Sequence, residues 1–209
     1  MGSVNLRVLR KEIIVQAQKP VEQRANKVLE NALNRQRDRF IQEFDAHEVT
    51  QAIQSGPNDN DGIVNTKKGG NLYSLIGFNS GESPTATLRK FLYDSFKLRD
   101  GLRLKANGNK IIAEKTAELP TMVGAEVETA GKHGVGQWTN KSWVKLIEDG
   151  IPWFRAYLFN KGGMKNSRSG NAIEAKDKEG NLKTIRNESF GPISYLSGLL
   201  KRLRDRVSK

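Results

Sequence analysis

Residues 20–45, PVEQRANKVLENALNRQRDRFIQEFD, constrain the fold more than any other stretch of this 209-residue chain. Val21, Ala25, Val28, Leu29, Ala32, Leu33, Phe40, Ile41 and Phe44 recur at helical spacing. At 1.5 Å per residue that is about seven turns, roughly 37 Å. Pro20 suits the first helical position, where its missing N–H goes unused. A long helix with one apolar face must lie across a sheet or across other helices. Ahead of it, Leu6, Leu9, Ile13 and Ile14 predict an arm or a short helix. The expected organisation is an N-terminal arm over 1–19 and a single α+β domain over 20–209. A hairpin region is inserted around 99–137.

The remaining elements rest on local signals. Asp45 is placed to cap a short helix over 46–54, ended by Gly56 and Pro57. A polar loop fills 55–70. GNLYSLIGF (70–78) reads as a strand bounded by glycines. Ser83-Pro84 opens a helix with Leu88, Phe91, Leu92 and Phe96 on its buried stripe. Leu102, Leu104 and Ala106 alternate with Arg103 and Lys105, and Asn107-Gly108 marks a hairpin turn into KIIAEKTAEL. A further strand is expected over 121–129. Thr139 or Asn140 then caps a helix carrying Trp143, Ile147 and Ile151, broken at Gly150 and Pro152. NAIEAK and LKTIR form a second hairpin about DKEGN. Pro192 opens a terminal helix with Ile193, Leu196, Leu199, Leu200, Leu203 and Val207 on one face. The fold class expected is α+β: a long amphipathic N-terminal helix packed on a small antiparallel sheet, with projecting hairpins and loops and a C-terminal helix.

Hydrophobic residues make up 36% of the chain, below the soluble average, so part of it is expected to gain burial from neighbouring subunits. The net charge is +12, from 35 basic and 23 acidic side chains, which favours a polyanionic partner. The excess is local. Residues 97–115 carry six basic and two acidic side chains, and residues 161–209 carry twelve and five. Residues 116–160 carry four and five, and they contain all three tryptophans, in WTNKSWVKLIEDGIPWFRAYLF. Rings that stack on bases come interleaved with Lys and Arg, so this block does not read as a nucleobase platform. Trp143 and Phe154 read as core, and Trp138 and Trp153 as subunit contacts.

Little catalytic chemistry is legible. There are no cysteines, which excludes disulfides and thiolate metal sites, and the two histidines belong to no metal-ligand motif. No phosphate loop, dinucleotide fingerprint, HExxH or GxSxG occurs. GPNDNDG lacks the Glu that a calcium loop needs at its twelfth position. Glu126 and Glu128 would share one face of a strand, a weak basis for nuclease metals. No apolar run approaches the ~18 residues of a membrane span. The N-terminal stretch has no signal-peptide pattern, and Leu6 stands where N-myristoylation wants Ser or Thr. The expectation is a protein that is not an enzyme and uses no cofactor or metal.

Four segments in this order carry a likeness: RDRFIQEFDAHEVTQAIQSGP, GGNLYSLIGFNSGESPTATLRKFL, SWVKLIEDGIPWFRAYLF and SRSGNAIEAK, with a basic terminal helix after them. The sequence resembles tailed-bacteriophage structural proteins of the neck, the head–tail connector or tail-completion class. The resemblance covers residues 20–98 and 138–206 and leaves 99–137 uncovered. Its motifs are not catalytic, so they are less specific than an active-site signature.

The resemblance implies a structural virion subunit, assembled in the bacterial cytoplasm, in a homo-oligomeric ring that joins portal to tail and surrounds double-stranded DNA. Other neck, portal-adaptor and tail proteins would be its partners, and no membrane. Under that reading Lys67, Lys68, Arg103, Lys105, Lys161, Lys165, Arg168, Arg202 and Arg204 are candidates for contact with channel DNA or a neighbouring ring. Trp138 and Trp153 are candidates for the subunit interface. Cations in the last turns of the terminal helix also complement its dipole, so those positions admit both roles. The alternatives are a non-specific nucleic-acid-binding protein and a metal-dependent nuclease.

Overall fold

The first helix, α1 (Leu6–Asp45), is longer than its apolar stripe requires. Pro20 lies inside it instead of opening it. Its ring cannot donate to the carbonyl of residue 16, but its fixed φ is helical, and the turns on both sides hold the helix through the gap. Residues 6–18 are therefore helical and continuous with the rest of α1, not a separate arm. The computed structural model describes residues 6–58, 62–64, 69–107, 110–134, 140–160 and 162–208, with the side chains of 6–18 and 104–111 outside that description.

The chain divides into two compact units that differ from the expected arm and single domain. The first comprises Met1–Asp38 and Phe96–Leu119. Beside its part of α1 it holds four strands, β1 (Lys97–Leu98), β2 (Arg103–Asn107), β3 (Lys110–Glu114) and β4 (Ala117–Glu118). β2 and β3 form the expected antiparallel hairpin, with Asn107 opposite Lys110 and Arg103 opposite Glu114. β1 pairs with β4, Lys97 opposite Glu118. Leu102, Ala113, Lys115 and Ala117 are half-buried, whereas Arg103, Ile112, Glu114 and Thr116 are exposed, so the ribbon has two distinct faces. Lys115 Nζ donates to Asn26 Oδ1 of α1 at 3.0 Å. Phe96 is the one buried residue among those described in this unit.

The second unit, Arg39–Ser95 and Pro120–Lys209, holds the core. Phe40, Ile41 and Phe44 from the end of α1 are buried there. Asp45 does not cap the next helix. His47 does, its Nδ1 accepting from Val49 N at 3.2 Å to start α2 (Glu48–Gln54). GNLYSLIGF is not a strand. Asn71 Oδ1 accepts from Ser74 N at 2.7 Å and opens α3 (Leu72–Ile76), and Gly77 closes it in the left-handed region at φ +80°. Every residue of α3 is buried, so its sequence shows no period and resembles a buried strand. Helix α4 (Pro84–Asp94) begins where Ser83-Pro84 predicts, although Ser83 makes no side-chain cap bond.

The strand expected over 121–129 is also a helix, α5 (Met122–Thr129), capped by Thr121 through Gly124 N. The cap of α6 (Trp143–Asp149) is Ser142, which accepts from Lys145 N and bonds Thr129 Oγ1 at 2.6 Å. Thr139, the other expected cap, lies outside the described residues, and Asn140 stands at φ +51°. A 3₁₀ turn, Pro152–Ala156, leads into β5 (Tyr157–Phe159). β5 pairs antiparallel with β6 (Ala172–Glu174), so NAIEAK takes most of its pairing from 157–159 and not from LKTIR. The turn over DKEGN is present, with Asp177 N donating to Asn181 O and a bridge between Lys176 and Leu182. The last helix, α7 (Leu196–Val207), starts four residues after Pro192 and buries Leu196, Leu199, Leu200 and Leu203. The α+β class holds, with a long N-terminal helix, small antiparallel ladders and a C-terminal helix. The strands form three separate two-stranded ladders.

Candidate functional site

Within the second unit, three guanidinium groups gather on one carboxylate. Arg206 Nη1 donates to Glu43 Oε1 at 2.5 Å, Arg39 Nε donates to the same oxygen at 3.2 Å, and Arg202 Nε lies 3.9 Å from Oε2. Helix period builds the cluster: Arg39 and Glu43 are one turn apart on α1, and Arg202 and Arg206 one turn apart on α7. Burial pushes the Glu43 carboxyl up, but hydrogen bonds and charge from Arg206 and Arg39 outweigh this and hold it below its usual range. The Arg206 side chain is only 17% exposed, against 62% for Arg39 and 56% for Arg202. Its Nε and Nη2 are buried and hydrogen-bond to nothing among the described residues. Glu43, Arg39 and Arg206 carry no local sequence signal of this role, since Glu43 and Arg206 lie 163 residues apart.

The aromatic stretch is organised about a different arginine. Arg186 is buried, with its Nε donating to Tyr157 O at 2.6 Å and its Nη2 to Gly69 O at 2.9 Å. Its guanidinium lies 4.9 Å from the Tyr157 ring centroid and 5.2 Å from that of Phe154. Burial pushes this guanidinium's pKa down, while Tyr157 and Glu188 oppose the shift. Phe154 is core, as expected, and so is Trp143, whose ring meets Phe78 edge-on at 5.7 Å. Trp153 is half-buried, and its indole N–H donates to Leu75 O at 3.0 Å.

Trp153 and Arg168 line one groove of about 210 Å³ together with α3 and β6. The Arg168 guanidinium sits over Gly77, where a Cβ would fall 2.6 Å from Nη2, so this glycine also makes room for the arginine. Lys165 is exposed. Arg103 is exposed on β2 opposite Glu114. Lys105 stands opposite Ile112 in the hairpin, with its side chain outside the description. Arg204 is exposed on α7, beside Lys201. Lys67, Lys68, Lys161 and Trp138 lie outside the described residues.

Two apolar side chains stand open to solvent on α5. Val123 is 70% and Val127 71% exposed, one turn apart. A groove between α5 and α6, lined by Val127, Ala130, Lys145 and Leu146 among others, adjoins them. Glu126 and Glu128 are on this helix, where a spacing of two turns them to different sides and removes the paired face a strand would have given. Glu128 forms an ion pair with Lys132. Among the described residues no group of three His, Asp or Glu side chains is placed to hold a metal ion, and no helix is long and apolar enough to cross a membrane. The chain matches no family model, no curated protein and no solved structure.

Proposed function

We propose that this chain is a structural subunit of a tailed-phage neck, a head–tail connector or tail-completion ring that surrounds the DNA channel. The observation that carries the reading is the composition of the first unit. It has fourteen basic and seven acidic side chains, net +7, and Phe96 is its one buried residue among those described. Val28 on its helix is 57% exposed and Ile112 on its hairpin 40%. A helix and a two-stranded ribbon with so little core are marginal alone and gain stability by burying their faces against other subunits. The exposed valines of α5 give the second unit an apolar face of its own.

Light scattering of the purified chain followed by electron microscopy tests this. Closed rings, or incorporation into the particle at the head–tail junction, are expected. A chain that stays monomeric at high concentration and is absent from particles overturns the reading. The arginine cluster on Glu43 favours one second reading, a monomeric non-specific nucleic-acid-binding protein, and the same scattering measurement separates the two.

A further inference from the structure

We infer that Arg39 and Arg202, held about Glu43 and Arg206, form a seat for backbone phosphates of duplex DNA. This deepens the ring reading by naming one surface that meets the channel DNA, and it rests on that reading only for where the DNA lies.

The cluster places three positive charges on one negative charge, which leaves a net +2 within side-chain reach of a single carboxylate. Arg206 is the buried member and does the anchoring. It takes the shortest bond to Glu43 and joins the end of α7 to the end of α1. Arg39 and Arg202 are more than half exposed, and each approaches Glu43 through Nε. Their terminal nitrogens, the fork that grips a phosphate, make no hydrogen bond among the described residues. Glu43 therefore holds one edge of each guanidinium and removes much of the freedom a surface arginine would lose on binding.

The surroundings select the ligand. Lys201 and Arg204 extend the exposed positive charge along α7, with Asp205 as the one acidic residue of that helix. An acidic protein partner would need apolar anchors at the centre of its contact, and from 201 to 208 the exposed large apolar side chain is Val207 alone. Duplex DNA carries one charge per ~1.7 Å of axis and needs no such anchor. Phosphate contacts of this kind position a duplex without reading its sequence, and that is what a channel requires.

The test is fluorescence anisotropy of the full chain with random-sequence duplexes over a series of salt concentrations. Wild type is expected to bind, with log affinity falling linearly in log salt. Arg39→Gln with Arg202→Gln is expected to weaken binding equally on all sequences and to reduce the salt slope by about two, one per lost contact. Lys90→Gln with Lys145→Gln removes the same charge from two exposed lysines paired to Asp94 and Asp149. That control is expected to keep nearly the wild-type slope. Equal loss in both double variants means binding follows net charge alone and overturns the seat, as does absence of wild-type binding at low salt. So does an arginine variant that keeps its DNA affinity, including one that loses only a protein partner. Rings with unchanged DNA binding in the arginine variant sink the seat and leave the ring reading standing. A monomer that binds through the seat does the reverse.

Discussion

Arg186 donates from Nε to the carbonyl of Tyr157 at 2.6 Å while its guanidinium plane lies 4.9 Å from the ring of the same residue. One side chain is thus both hydrogen-bond donor and cation–π partner to one residue, and Phe154 supplies a second ring. This is the physical role of the aromatic stretch: it desolvates and solvates one arginine at once. The rings that might have stacked on bases are committed inside the fold.

Replacing Arg186 with Met leaves Gly69 O and Tyr157 O without their donor inside a packed core. A loss of about 3 kcal/mol is expected, from hydrogen bonds to a charged group and the stranded carbonyls. Arg186→Lys should recover little, because an ammonium cannot span both carbonyls and stack on a ring together. Urea unfolding of the three proteins checks this, and a Lys variant as stable as wild type refutes the cage.

Acid should destabilise the second unit in two separable steps. Burial pushes His47 below its ordinary 6.5, with Glu48 opposing. Its Nδ1 also accepts the cap bond from Val49 N, which a proton would break. A depressed folded-state pKa gives stability that is full above 6.5 and is lost as pH falls towards the folded value. Glu43 has the same sign lower down: full above about 4.5, lost as pH falls through its depressed folded value. Thermal melts from pH 8 to pH 3 should show both. His47→Asn keeps a cap and should remove the upper step alone, and Glu43→Gln should flatten the lower one.

Asn71→Ala tests the helix that the sequence disguised. Asn71 Oδ1 caps α3, and its Nδ2 donates to Pro57 O at 2.8 Å, an acceptor shared with Asn171 Nδ2 at 2.7 Å. Loss of the cap and of a buried bond should cost about 2 kcal/mol. Asn71→Asp, which keeps the cap acceptor but not the donor, should fall between. Chemical denaturation measures both, and an Ala variant within error of wild type would show that α3 is held by packing alone.

Elements with a one-sided stripe were legible, and those buried all round were not. The stripes of α1, α4 and α7 set their type directly, and Asn107-Gly108 set the β2–β3 hairpin. In α3, Leu72 to Ile76 are all buried, so no period survives. Yet Asn71 and Gly77 bracket them as an N-cap and a left-handed C-cap, a signal that outranks the strand-like composition. For α5, Thr121 was the overlooked cap, and the β-branched Val123 and Val127 misled because both face solvent. The arginine sites were illegible for another reason. Arg186 meets Gly69 across 117 residues and Arg206 meets Glu43 across 163, and no local pattern encodes a contact at that separation.

Assembly should depend on exposed apolar side chains that do nothing for the isolated subunit. Val28→Asp in the first unit and Val123→Asp with Val127→Asp in the second change residues that are 57%, 70% and 71% exposed. Away from caps and cores, such surface changes shift monomer stability by about 0.5 kcal/mol or less. In a ring the same positions would become buried, and each carboxylate would be desolvated without a partner. Light scattering should therefore report loss of the oligomer while dilute-solution melting stays near wild type. Val28→Leu and Val127→Ile should assemble normally. Variants that assemble fully as aspartates place these surfaces outside any subunit contact, and variants that unfold as monomers assign the valines to the fold instead.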